Sequence, residues 1–325
     1  MIATGFHKTN EFYPPQLNNM TTVNGKGLIS AKIITDSLCW SGDRLTTYEL
    51  EYPRFIHSEF MTHCMLAKNA ASSRAIPIKT MQKHILENPQ GPIEWGLNQP
   101  GMQAKQLMTP LQAASAQAIW DNARDEAVRH SMLLDQAMAH KQTANRITEP
   151  FMQMKVVCSG TEWANFFWLR NHEDAQPEIH ELARCMEEAM DVSEPQWLAP
   201  GEWHLPYIST SWSKMDVEYS TGDLKLTLDQ AKAVSASCCA QVSYRKNDES
   251  LEKALMIYDR LVNSTPIHAS PFEHQGTPIS AKGNRYFDPQ TWEPGITHVK
   301  RDGTLWSAKF QGWIQHRQLI PNQSK

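Results

Sequence analysis

Within three residues the chain places two hydroxyls and a guanidinium, at Ser72, Ser73 and Arg74 of the stretch NAASSRAIP. Hydroxyls, backbone N–H groups and one fork of charged donors in a loop of small residues suit an anion, above all a phosphate. The competing reading is a helix end running into an exposed turn before Pro77. Arg170 closes an aromatic run that begins at Trp163, and is either a surface ion-pairing residue or a cation for a nucleotide. His63, His268, Glu273 and His274 are groups that ligand chemistry can use, or structural residues with satisfied partners. There is no Walker loop, no GxGxxG and no HExxH. None of the six cysteines stands in a CxxC, so no metal-ligand set is read and a reduced, cytoplasmic compartment is expected.

These residues need a scaffold, and 325 residues with 41% hydrophobic and 20% charged side chains are enough for a large core. A formal net charge of −4 gives no global attraction to a nucleic acid polymer, so an anionic ligand must be held by a local cluster. No apolar run is long enough to cross a membrane. SAKIITDSLCW, RLTTYELEYPRFI and FMQMKVVCSG read as strands from their β-branched and aromatic content. HSEFMTHCMLAKN reads as a helix, residues 109–144 as one long helix or two, and AQPEIHELARCMEEAM as an amphipathic helix presenting Ile179, Leu182, Met186 and Met190. Ser159 and Glu162 are spaced as a capping box for a helix through GTEWANFFWLRN. The aromatic set Trp163, Phe166, Phe167 and Trp168 reads as core, and Cys64, Cys238 and Cys239 as small buried residues. The long ENPQGPIEWGLNQPGMQ segment reads as a loop of the length that often carries function. The class is α+β, divided into an irregular arm (1–30), a core (31–220) and a smaller module (221–325).

Three segments together resemble the flavin-dependent thymidylate synthases, most closely the longer, bacteriophage versions. That family's signature is R-H-R, seven residues, then S-x-R. The matching window here is Thr62-His63-Cys64, seven residues, then Ser72-Ser73-Arg74, in which His63, Asn69, Ser72 and Arg74 fit. The second segment, NFFWLRNHEDAQPEI, matches a family helix through Asn165, Arg170, Ala175, Gln176, Glu178 and Ile179, with Arg146 upstream where another nucleotide-binding arginine is found. The third is HASPFEH, His268 to His274, preceded by CAQVSY. In shorter members the third segment precedes the signature, so this chain resembles a permuted member. It departs at Thr62 and Cys64, where arginines are usual, at Gln241 for arginine, at Ala70 for glutamate, and at Asp174, where a flavin-contacting histidine is common.

The resemblance implies that family's fold, a mixed sheet with long helices, and transfer of a one-carbon unit from methylenetetrahydrofolate to C5 of dUMP using FAD and NADPH. It implies catalytic roles for Arg170 and Ser72, and dUMP binding by Arg74, Ser73, Arg146 and Glu59. Flavin contacts fall on His63, Asn69, Asn165, Asp174, His268, Ser270 and Glu273, the core binding the nucleotide and the smaller module completing the flavin site. A homotetramer is implied too. The alternatives are hydroxymethylation of a pyrimidine deoxynucleotide on the same scaffold, and a non-catalytic relative that binds nucleotide.

Overall fold

The computed structural model describes residues 21–212, 217–285 and 287–324. Its main sheet contains β1 (Thr22–Asn24), β2 (Ser30–Leu38), β3 (Arg44–Pro53), β4 (Ala67–Ala70), β5 (Gln153–Gly160) and β6 (Gln196–Trp197). The strand order is β1-β2-β3-β5-β4, with β6 also on β2, and every pairing but that last one is antiparallel. The helices are α1 (His57–Met61), α2 (Ile78–Glu87), α3 (Pro110–Gln136), α4 (Lys141–Ala144), α5 (Ala164–Arg170), α6 (Pro177–Val192), α7 (Leu228–Gln241) and α8 (Leu251–Asn263). Three small strands, β7 (Ser209–Trp212), β8 (Val217–Thr221) and β9 (Leu224–Leu226), form a meander. Near the C-terminus lie β10 (Gly276–Pro278), β11 (His298–Val299), β12 (Leu305–Ser307), β13 (Phe310–Gln311) and β14 (Trp313–Gln315). The architecture is α+β.

Alternation along β3 decides the two faces of the sheet. Tyr48, Leu50 and Tyr52 share one face with Met154, Val156 and Cys158 of β5, and all are buried beneath Ile179, Leu182, Ala183 and Met186 of α6. Fully burying a Leu or Ile side chain contributes about 1.5–3 kcal/mol, so this interface is the principal core. Polar groups fix the far end of α6. Asp36 accepts from Arg44 Nε (2.9 Å), Thr46 Oγ1 (2.9 Å) and Ser193 Oγ (2.7 Å). The same guanidinium donates to the Met190 and Ser193 carbonyls at the end of α6, where a cation also complements the helix dipole.

The opposite face is polar at its centre. Thr47 and Ser159 stand opposite one another in the β3–β5 ladder and share a hydrogen bond of 2.7 Å. From Thr47 the chain of contacts runs to His204 Nε2 (2.8 Å) and on through His204 Nδ1 to Ser37 Oγ (2.8 Å). From Ser159 it runs to His274 Nδ1 (2.9 Å). All five residues are buried. His204 also exchanges backbone hydrogen bonds with Gly276. Phe310 and Trp313 pack on Leu45 and Ala67 beside this chain. The C-terminal module is therefore clamped to the sheet, and its short 3-10 segment Ser270–Glu273 lies against β4.

Several expectations change. Residues 21–30, read with the irregular arm, contribute β1 and its pairing to β2, while residues 1–20 of that arm lie outside the described residues. The helix expected over 57–69 stops at Met61, and Ala67–Ala70 becomes edge strand β4, because pairing with β5 satisfies a backbone too short to complete a second amphipathic turn. The boundary read near residue 220 falls inside β8. Ser159 does not cap α5, whose N-cap is Trp163, because its hydroxyl is spent within the buried chain. Cys64 is exposed, not buried. Trp163 and Phe166 belong to the core, but Trp168 is 75% exposed.

Burial holds His204 and His274 neutral, with pKa values pushed from 6.5 down to about 3. The unfolded chain therefore binds protons at these positions from about pH 6.5 downward while the folded chain refuses them, so stability rises with pH across that window. Denaturant midpoints should fall as pH drops from 6.5 to 5, above the range in which carboxylates titrate. Midpoints that stay level between those pH values contradict neutral burial.

Candidate functional site

Edge strand β4 collects residues from all three matched segments. Just before it, His63 Nε2 accepts from Arg170 Nε at 2.9 Å, and Arg170 Nη1 is ion-paired with Glu59. Arg170 reaches this position because α5 buries Phe166 one turn earlier, and that ring meets His63 edge-on at 4.9 Å and Phe60 at 5.6 Å. The guanidinium can only donate, so His63 Nε2 is the acceptor and its proton sits on Nδ1. Burial, with Arg170 and Lys68 nearby, lowers the His63 pKa to about 4 and keeps the ring neutral. Arg170 is thus no surface ion pair: its side chain is 19% exposed.

Past the other end of β4 lies a second cluster, about 13 Å away at the usual rise for a four-residue strand. Ser72 is half-buried, its N–H donating to the Ser243 carbonyl, and its Oγ accepts from the Arg74 N–H at 3.3 Å. Arg74 is exposed. Ser73 Oγ and Arg146 Nη1 both donate to Glu149 Oε1 at 2.7 Å, and Arg54 approaches Glu149 Oε2 at 3.5 Å. Asn145 holds the loop's shape by donating to the Ser73 and Ile76 carbonyls. Arg74 is exposed beside the half-buried Ser72, and among the described residues its guanidinium has no ion-pair partner, so the loop can take an anion.

The third segment contributes unevenly. Glu273 is buried and ion-paired with Lys309 (2.9 Å) and Arg317. Burial pushes its carboxyl up, but the two cations outweigh that and leave it below the usual range. Ser270 and His268 are exposed beside it. Asn69, on the inner side of β4, donates to the Cys239 carbonyl at 3.4 Å. Two residues expected at the flavin stand apart. Asn165 is exposed on α5, and Asp174 is exposed in the turn after it, its carbonyl accepting from Gln103 of the long loop.

Lys68, Glu149, Arg54, Lys309 and Arg317 carry charge in these clusters and were missed in the sequence. Lys68 was legible had AKNA been read as a strand, since alternation then puts it opposite Cys158 on the face of Phe60 and Phe166. Nothing local marks Lys309 or Arg317. Two open clefts, of about 620 and 710 Å3, lie against α6. Neither is lined by His63, Arg170 or the Ser72–Arg74 loop, so the candidate site rests on convergent charged groups at β4 rather than on concavity.

Removing the guanidinium takes away one of the charges that hold His63 neutral. In Arg170→Ala the His63 pKa should rise from about 4 toward 6.5, read by NMR titration of the ring protons. An unchanged value contradicts the contact.

No protein-family model matches the sequence, and a search of curated proteins finds no match. Among solved structures, the chain is similar to a UMP/dUMP methylase, PolB from Streptomyces cacaoi, crystallised with 5-Br dUMP. The TM-score is 0.37 at 16% identity, and the match covers 45% of this chain and 66% of that one.

Proposed function

We propose that this chain transfers a one-carbon unit from methylenetetrahydrofolate to C5 of dUMP, in the manner of the flavin-dependent thymidylate synthases. The observation that carries the reading is the convergence at β4. Arg170 of one matched segment donates to His63 of another, and the Glu273 corner of the third packs against the strand that joins His63 to the Ser72–Arg74 loop. Arg170 and His63 are 107 residues apart, and the Ser270–Glu273 corner is farther still from β4, so these segments meet because of the fold, not because of their spacing.

In this reading the pyrimidine lies at the Arg170 end and the phosphate at the Ser72–Arg74 end. A guanidinium fixed beside the base stabilises negative charge developing on the uracil carbonyl and N3 as C5 becomes nucleophilic, and its pre-set position avoids reorganisation at that moment. Glu59 orients that guanidinium and occupies Nη1, leaving Nη2 for the base. At the far end Ser72 and Arg74 grip the phosphate, while Glu149 aligns Ser73 and Arg146 beside them. His63 as a neutral N–H donor, Asn69 and the Ser270–Glu273 corner suit the N–H and C=O groups of a flavin ring, and they are the residues that would hold FAD. FAD reduced by NADPH supplies the hydride when bound. The same residues serve hydroxymethyl transfer to a pyrimidine deoxynucleotide equally well.

One observation favours a second reading, a nucleotide-binding protein without flavin. Thr62 and Cys64 are exposed and carry no guanidinium, and Lys309 and Arg317 are both engaged by Glu273. Colour and binding together decide. The purified protein should absorb at about 450 nm as oxidised flavin does. Its Arg170→Ala variant should lose tenfold or more in dUMP affinity, since truncating a buried charged partner costs about 2–5 kcal/mol. A colourless protein that binds dUMP supports the second reading, and unchanged dUMP affinity in the variant sinks the role of Arg170.

The assembly expected for this reading is a homotetramer with the flavin sites between subunits. Exposed Met61, Met65, Trp168 and Leu169 on the elements that carry His63 and Arg170 supply apolar surface for such contacts. Light scattering should return four times the chain mass, and a monomer at micromolar concentration with flavin bound contradicts it.

A further inference from the structure

Lys141 lies outside the residues that carry the family resemblance, yet the fold brings it to the Ser72–Arg74 loop. It opens α4 just after the N-cap His140. Its side chain is half-buried, and its Nζ donates to the Ala75 carbonyl at 2.9 Å, one residue past Arg74. Among the described residues no carboxylate lies within ion-pairing distance of Lys141 or of Arg74. The neighbouring cations Arg54 and Arg146 differ, since both engage Glu149. An ammonium held on one neutral acceptor keeps two donors free, and when half-buried it gains from an anion that supplies the missing counter-charge.

The loop beside Lys141 is arranged for an anion. Carbonyl oxygens, which would repel one, are taken by donors. The Ser72 carbonyl accepts from the N–H groups of Ala75 and Ile76, those of Ser73 and Ile76 from Asn145 Nδ2, and that of Ala75 from Lys141. The Ser73 N–H, by contrast, has no partner among the described residues. Asn145 is fully buried and follows α4 directly, in the 3-10 segment Asn145–Phe151. One continuous segment therefore occupies the loop's carbonyls and fixes the ammonium next to Arg74.

Charge decides which anion fits. Arg74 and Lys141 are two positive charges without a carboxylate, and a phosphate monoester carries close to two negative charges at neutral pH. A phosphodiester carries one and a nucleoside none, so either leaves a cation of the pair unmatched. We propose that Lys141 joins Arg74 as a two-cation clamp that selects a terminal phosphate monoester. Lys141 is then a specificity-determining residue, favouring free mononucleotides over phosphodiesters. The inference rests on the reading that puts the nucleotide's phosphate at the Ser72–Arg74 loop, and adds the residue that sets which charge state of phosphate is taken.

Calorimetric titration into the full chain and its Lys141→Gln and Lys141→Arg variants tests this, with three probes. They are dUMP, the methyl ester of its phosphate, and 2-deoxyribose 5-phosphate, which has the monoester but no base. Glutamine keeps a donor for the Ala75 carbonyl and removes the charge, and melting curves verify that each variant is folded. Lys141→Gln should bind dUMP and deoxyribose phosphate roughly tenfold or more weakly, as expected for loss of a charge-assisted contact, and the methyl ester with much less change. Lys141→Arg should keep the parent's preference for the monoester. Deoxyribose phosphate binding that depends on Lys141, in a protein that binds dUMP no more tightly, keeps this inference and removes the pyrimidine reading. Binding of dUMP that is unchanged in Lys141→Gln overturns the inference and leaves that reading standing. Equal losses for dUMP and its methyl ester reduce Lys141 to a structural cap on the loop, and a parent that binds no monoester removes the clamp; both overturn the inference.

Discussion

The buried chain of hydroxyls and imidazoles from Ser37 through His204, Thr47 and Ser159 to His274 is the constraint on which the site depends. It crosses three strands of the sheet and ends one residue beyond Glu273. A hydrogen bond between neutral groups contributes only about 0.5–1.5 kcal/mol net, but each member left unpaired in this interior costs more than that. Sliding the C-terminal module by one residue would break the contact of His274 with Ser159 and the backbone pairing of Gly276 with His204. The apolar contacts of Phe310 and Trp313 on Leu45 and Ala67 hold the module down, and the polar chain sets where it sits. Glu273, Lys309 and Arg317 reach the edge of the sheet as a result.

The opposite face works by a different balance. There α6 and the aromatic side chains of β3 make a dense apolar layer that ends at Phe60 and Phe166. Arg170, His63, Glu59 and Lys68 stand at its rim, where the low polarity strengthens each charge interaction and water remains close enough to relieve the cost of burial. Arg170 meets both demands by spending one N–H on His63 and another on Glu59. The same contact fixes the tautomer of His63, so the electrostatics of the rim are set before any ligand arrives. Preorganisation of this kind is what a charge-stabilising site requires.

Much of the scaffold was legible in the sequence because it is periodic. SAKIITDSL, RLTTYELEYP and QMKVVCSG are long, β-branched and alternating, and α6 shows its apolar stripe at helical spacing. β4 was not legible, since four residues, AKNA, carry too little pattern to mark a strand and acquire one only from β5. Ser159 misled for a related reason: its spacing to Glu162 suits a cap, but Thr47 and His274 compete for its hydroxyl from residues far away in sequence. The grouping of Arg170 with His63 followed from the resemblance of two segments to one family, and no local rule connects residues 107 positions apart. Lys68, Lys309 and Arg317 escaped because a single charge in a short segment reads as a solvated side chain until the fold shows which carboxylates are already taken.

The central claim is that one pyrimidine nucleotide spans β4, its base at Arg170 and its phosphate at Ser72 and Arg74. A crystal structure of the protein grown with dUMP tests it most directly. The account predicts density for the uracil within hydrogen-bonding distance of the Arg170 guanidinium and for the phosphate at the Ser72–Arg74 loop. Nucleotide density in one of the clefts against α6, with Arg170 still bound only to Glu59 and His63, would contradict it.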